Sequence, residues 1–255
     1  MTADRWTGNE RRHDAPSYKA VVGAGLAVRD QLRLGRLLPL GDRRDGAWIT
    51  EAAAEAVLRR AAQNVPGVRP GALRIALADP EEVYEPAVPP PPSALPPGPL
   101  RITADFAATV SEPLPATASL VRAALETAAT EGLGLSVTAV DLRVTGLLDE
   151  EPQPSPVPPP EPPAAEEASE PDEARAAAAA LAVPGVARLT GALGGRSVHI
   201  GERRSEAALP HRHARVEITV LPDHRALDVA RAVRTVVGEV LPDHPTVAVL
   251  VTAVS

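Results

Sequence analysis

Residues 52–68 read AAAEAVLRRAAQNVPGV, and residues 173–186 read EARAAAAALAVPGV. In each, an alanine-rich helical pattern runs into Val-Pro-Gly-Val, at 65–68 and again at 183–186. The junction has a plain mechanism. The residue before proline is pushed out of the α region, and glycine accepts the reversal that aims a following strand. After the first junction, residues 73–77 read as a short strand, and 101–106 alternate with Ile102, Ala104 and Phe106 on one face. A helix follows, with Leu120, Val121, Ala124, Leu125 and Ala128 on one stripe. Residues 140–144 close the series as another alternating strand.

The second junction opens a similar series. Residues 186–189 and 198–200 are expected to pair as a hairpin across Gly194-Gly195, a favoured turn dipeptide. Residues 215–220 alternate, with Val216, Ile218 and Val220 inward. Asp223 is the expected N-cap of a helix whose stripe is Ala226, Val229, Ala230, Val233, Val236, Val237 and Val240. Within these helices, Leu120-Val-Arg-Ala-Ala124 matches Val229-Ala-Arg-Ala-Val233. Residues 247–254 form a last, almost continuously apolar strand. The fold class read from this order is α+β. It comprises two tandem small modules, each helix–strands–helix–strand, with helices packed on one face of a β-sheet.

Composition bounds what such modules can do. Of 255 residues, 44% are hydrophobic, but only two Trp, two Tyr and one Phe are aromatic, so the core must rest on Val, Leu and Ile. Cysteine is absent, which excludes disulfides, thiolate zinc sites and a Cys nucleophile. The net charge of −7 is local. Residues 149–173 hold nine acidic side chains and no basic one, so the remainder is close to neutral and offers no strong footprint for nucleic acid. The apolar run at 20–28 is far shorter than a membrane span and lacks a cleavage pattern, which points to a cytoplasmic chain with no direct span.

Proline sets the expected boundaries. Residues 86–99 hold eight prolines and 152–171 hold nine, of 29 in all. Proline lacks the backbone donor and fixes φ, so neither stretch can run through a helix interior or a sheet ladder. The expected organisation is a partly disordered leader over 1–46, then a first module over 47–148 with its Pro-rich surface loop at 86–99. An acidic Pro-rich linker over 149–171, read as an extended spacer, joins it to a second, divergent module over 172–255.

The run Trp48-Ile-Thr-Glu, the Ala-Val-Leu-Arg-Arg-Ala-Ala helix, the Val-Pro-Gly-Val junction and the closing Val-Thr-Ala-Val-Asp-Leu-Arg-Val together resemble the alkaline shock protein family. The resemblance covers residues 47–148 well. It covers 172–255 more weakly, without the Trp-Ile-Thr-Glu lead-in. This chain departs from the family by its duplication and its proline insertions. The resemblance implies a cytoplasmic, non-catalytic protein of the envelope stress response. Such a protein self-associates and lies along the inner face of the membrane through a membrane-anchored partner.

No catalytic, cofactor-binding or metal-ligating residue is assigned from sequence, and no cofactor is expected. His211-Arg-His213 would place two imidazoles on one face of an extended segment, but His199, His224 and His244 fall on separate elements. No Gly-x-Ser-x-Gly elbow is present. Gly23-Ala-Gly25 lacks the third glycine of a dinucleotide loop. Gly191-Ala-Leu-Gly194 matches the loop of an RNA-binding KH domain but sits between strands, not helices, leaving an RNA-binding regulatory module as the alternative reading. VRDQLRLGRLLPL at 28–40 invites a membrane-surface helix, though its leucines spread round the wheel and docking on the first module or on a partner is the favoured reading. Residues 247–254 carry more apolar positions than a one-faced sheet needs. Either that strand is covered on both faces, or the face bearing Ala248 and Leu250 meets a second copy; the latter gives a homo-oligomer. The outward Asp141 and Arg143 argue against association through the face of the 140–144 strand.

Overall fold

Thr50 sits where three parts of the chain meet. Its Oγ1 accepts from the Ala53 N–H at 3.3 Å, capping the first helix, and donates to the Thr252 carbonyl at 3.2 Å near the C-terminus. The computed structural model describes residues 35–153, 155–205 and 208–255. Gly23-Ala-Gly25, the 20–28 run, most of the leader and the first part of the 28–40 segment lie outside the described residues.

The elements are β1 (Leu37–Leu40), β2 (Ala47–Thr50), α1 (Glu51–Gln63), β3 (Val68–Leu77), β4 (Leu100–Thr109) and α2 (Leu114–Thr127). A π turn at Ala128–Leu133 extends α2 before β5 (Val137–Leu148). Then come α3 (Pro171–Leu181), β6 (Val186–Leu189), β7 (Val198–Ser205), β8 (Ala208–Val220), α4 (Ala226–Val240) and β9 (Thr246–Val254). The fold is α+β. One sheet has the order β3-β4-β5; the other runs β1-β2-β9-β8-β6, with β7 also on β8. Both Val-Pro-Gly-Val junctions turn as their mechanism requires. Gly67 and Gly185 have φ of 70° and 90°, and a Cβ at either would collide with Thr109 or His224. In both halves the strand after the junction pairs antiparallel with the next long strand, which pairs parallel with the strand beyond the following helix.

Several expectations change. Residues 37–50 were placed in the leader and at the start of the first module, yet β2 hydrogen-bonds in parallel to β9, with Trp48 opposite Leu250. The end of the 28–40 segment is the edge strand β1, not a helix. An edge position tolerates Pro39, which cannot donate to a ladder. Strands β6 and β7 do not form a hairpin; both run antiparallel to β8, at Val186–Leu189 and Val198–Ser205. A hairpin would need a chain reversal. The loop between them instead bulges out and returns in the same direction, with the Glu217 N–H on the Ser197 carbonyl at 2.8 Å. Asp223 caps nothing: α4 starts after Arg225, and the Asp223 carboxylate takes His224 Nδ1 at 2.8 Å. On α2 the buried row is Thr117, Val121 and Leu125, continued by Ala129 and Leu133, while Leu120 turns to solvent at 57% exposure.

The two proline segments pack where a surface loop and a spacer were expected. From the 86–99 loop, Val88 is buried, Ala94 bridges to Leu37, and the Leu95 carbonyl accepts from Trp48 Nε1 at 3.4 Å. Leu37, Trp48, Val88, Ala248 and Leu250 form one buried cluster there, with Ala94 and Leu193 packed on it. The 149–171 linker has no ladder strand, but Ala164 bridges to Thr190, Gly191 N–H donates to the Pro163 carbonyl at 3.1 Å, and Glu166 N–H donates to Gly195 at 2.7 Å. Strand β9 is therefore covered on both faces. On the other side of the sheet one continuous core runs from Leu38 through α1, α2, α3 and α4 to Val254, joining both halves. Asp45 adds a tie from the β1–β2 turn to α4, taking Arg231 Nε and Nη2 at 2.7 and 3.0 Å.

Trp48 is 1% exposed and touches strand, sheet face and proline loop together. Replacing it with alanine should cost about 3–5 kcal/mol, read as a lower urea midpoint of the full chain. An unchanged midpoint would show that the loop does not seal β9.

Candidate functional site

The face of β8 away from the helices carries Arg215, Glu217 and Thr219, an unusual row to bury. Glu217 has no exposed surface. The loop between β6 and β7 wraps it: Leu193 N–H donates to its two oxygens at 3.0 and 3.3 Å, and Arg215 Nε lies 3.4 Å from Oε1. Arg215 Nη2 then donates to the Leu193 carbonyl at 2.7 Å, closing the ring. Thr190 and Thr252 share a hydroxyl hydrogen bond of 2.9 Å beside it. Burial pushes the Glu217 carboxyl up to about 7, against the pull of Arg215 and the Leu193 and Ala192 N–H groups. That value suits proton transfer at neutral pH. A fully enclosed group, however, meets no substrate, and its partners make it a clamp on the loop.

The histidines do not converge. On β8, His213 Nδ1 lies 2.9 Å from Thr246 Oγ1 of β9, and His244 Nδ1 lies 2.9 Å from the Gly238 carbonyl. His199 faces Arg215 across the β7–β8 ladder, and partial burial followed by the Arg215 charge holds its pKa below the usual range. Among the described residues no three His, Asp or Glu side chains are grouped to hold a metal ion. In the Gly191–Gly194 turn Gly191 and Ala192 are buried, the Gly191 N–H donating to the Pro163 carbonyl of the linker, while Gly194 is exposed. A cleft of about 610 Å³ lies between the β1–β2 turn and the proline loop and is edged by Arg43, Arg44, Glu82 and Tyr84.

A different surface is open to a partner. Strand β5 is twelve residues long and ends its sheet, pairing only with β4 among the described residues. The Val140 carbonyl takes Arg122 Nε at 3.4 Å instead of a strand, so even-numbered backbone groups at this point face outward. Asp141 pairs with Arg101 at 3.1 Å and Arg143 with Asp105 at 2.6 Å, both on the solvent face. Val144 and Leu147 on β5, and Val110 beyond β4, are 40%, 60% and 69% exposed. Long, accessible edges with apolar side chains are templates for strand addition. Among the described residues no helix is long and apolar enough to cross a membrane.

No protein-family model matches this sequence, and no curated protein is similar enough to match it. Sequence reading missed Glu217 as a structural group and β5 as an edge. A lone carboxylate in the alternating run 215–220 was the available signal for the first; the second had none, because strand order is not written locally.

Glu217 supplies a pH test. Folded, it holds its proton up to about pH 7, against 4.5 for an ordinary glutamate. Its contribution to stability is therefore complete below 4.5, falls as pH rises toward 7, and stays low above that. Glu217→Gln should gain on the parent chain across this window, by on the order of a few kcal/mol, in urea titrations from acid to mildly alkaline pH. A constant difference would mean that Glu217 ionises freely.

Proposed function

We propose that this chain is a non-enzymatic scaffold or adaptor that self-associates through the free edge of β5. The observation that carries this reading is the twelve-residue edge, unpaired among the described residues and bordered by exposed Val144 and Leu147. Its sequence is self-complementary. Antiparallel pairing about Leu142 sets Val140 against Val144 and Asp141 against Arg143, and a two-fold axis repeats each pair. The outward face of Val140 fits Leu142 as the centre of a hydrogen-bonded pair, because backbone groups two residues apart share a side. Exposed ion pairs contribute little, so the affinity comes from backbone hydrogen bonds and the apolar border. This route replaces the face of Ala248 and Leu250, both of which are 0% exposed.

The two halves, with their shared junctions and pairing senses, are read as copies of one module. The similarity to the alkaline shock family motivates the rest: an envelope-stress role at the cytoplasmic side of the membrane, reached through a membrane-anchored protein.

Light scattering on the full chain should give a mass that rises with concentration toward a dimer. The Val144→Lys, Leu147→Lys pair should give a monomer with an unchanged thermal midpoint, since both side chains lie outside the core. A parent chain that is monomeric at high concentration would sink the proposal, as would a variant that associates equally well.

A further inference from the structure

We propose that the pocket in front of α3 is a receptor site for an arginine side chain presented by a partner protein. The pocket holds about 380 Å³ between the first turn of α3 and strands β7 and β8. Its lining includes Glu170, Asp172, Glu173, Glu202, Arg212 and Ile200. Arg212, Arg175 and Arg196 pair with Asp172 and Glu173, which leaves Glu170 and Glu202 to give the lining a net negative sign. Acidic residues at a helix start are ordinary, because they offset the positive end of the helix dipole. That accounts for Asp172, whose charge is already met: Arg212 Nη2 lies 2.5 Å away and Arg175 binds it too, which together hold its carboxyl below the usual range.

It does not account for Glu173. This residue is 3% exposed, and only one of its oxygens is engaged, Oε1 with Arg196 Nη1 at 3.3 Å. Oε2 is buried with no hydrogen-bond partner at all. A buried carboxylate oxygen left unpaired is costly, and because Glu173 is among the residues lining the pocket, its unmet oxygen marks the place of a missing donor. The donor must be cationic, since Glu170 and Glu202 stand exposed at the mouth. An aliphatic stem suits it as well, since Ile200 and Pro171 give the lining apolar surface. A guanidinium meets both demands. Its planar fork reaches Oε2 and a mouth carboxylate together, while its methylenes lie along Ile200. The acidic linker, with Glu161, Glu166 and Glu167 close by in sequence, would draw a basic partner toward the pocket.

The test is a titration of the full chain, followed by amide chemical shifts, with the blocked peptide acetyl-Gly-Arg-Gly-amide. Saturable shifts confined to residues 170–173 and 200–202 are expected at low salt. Glu173→Gln should weaken binding by about tenfold, which is the loss of one charge-assisted contact. Glu202→Gln, at the exposed mouth, should weaken it less and leave the fold untouched, so the site stays testable if Glu173→Gln unfolds. The lysine peptide should bind more weakly, and the norleucine peptide not at all. The proposal is overturned by absent or unsaturable shifts, by equal binding of the norleucine peptide, or by magnesium chloride moving the same amides at lower concentration. The Val144→Lys, Leu147→Lys chain should bind the peptide as the parent does, so failure here is separate from failure at β5.

Discussion

The parallel pairing of β2 with β9 holds the architecture together. It joins residues 47–49 to residues 249–251, about two hundred positions apart in sequence, and makes the C-terminal strand central instead of an edge. Without it, β9 would present an unpaired backbone and an apolar second face to water. With it, Trp48 lies over Leu250, and Thr50 both starts α1 and bonds to the Thr252 carbonyl. The same pairing leads directly into α1, whose buried Ala53, Ala54 and Leu58 belong to the core common to both halves. A chain this rich in alanine gains little from each buried side chain, so sharing one core between two sheets raises the area buried for its size.

The proline segments gain their role from that arrangement. Proline-rich backbone has few donors to leave unsatisfied, so it can lie over an apolar sheet face without extending the ladder. The 86–99 loop does this over Trp48 and Leu250, with its Val88 buried against them, and the 162–166 stretch does so beside Thr190 and Gly195. Glu217 fits the same logic. A carboxylate buried under the 190–196 loop keeps that loop in place by accepting its N–H groups, at the cost of a raised pKa. With β9 covered on both faces, the proposed association falls to the smaller sheet, whose β5 edge is unpaired among the described residues. The arginine pocket lies at the opposite type of feature, a helix start with one buried oxygen unmet.

Local pattern was enough for the α+β class and for most element positions. The period of 3.6 in 226–240 and of 2 in 101–106 and 215–220 can be read from the chain because burial on one face imposes it. The Val-Pro-Gly-Val junctions were equally legible, since proline and glycine act on the backbone within one or two residues. What failed locally failed for a stated reason. Asp223 looked like a cap but lies two residues too early, and its carboxylate found His224 instead. Leu120 looked like core, but the helix presents Thr117, Val121 and Leu125 to the sheet, a row about 100° away.

Sequence by itself thus determined the secondary elements, the two reversals and the acidic stretch, because each follows from forces acting between near neighbours. Tertiary structure alone decided which strands became neighbours. A strand's side-chain pattern records that a face is buried, but not by what: residues 247–254 would read the same beneath a second copy or beneath Trp48 and the proline loop. Only the long-range closure of β2 onto β9 chose between them, while in the other sheet the order β3-β4-β5 made β5 the edge.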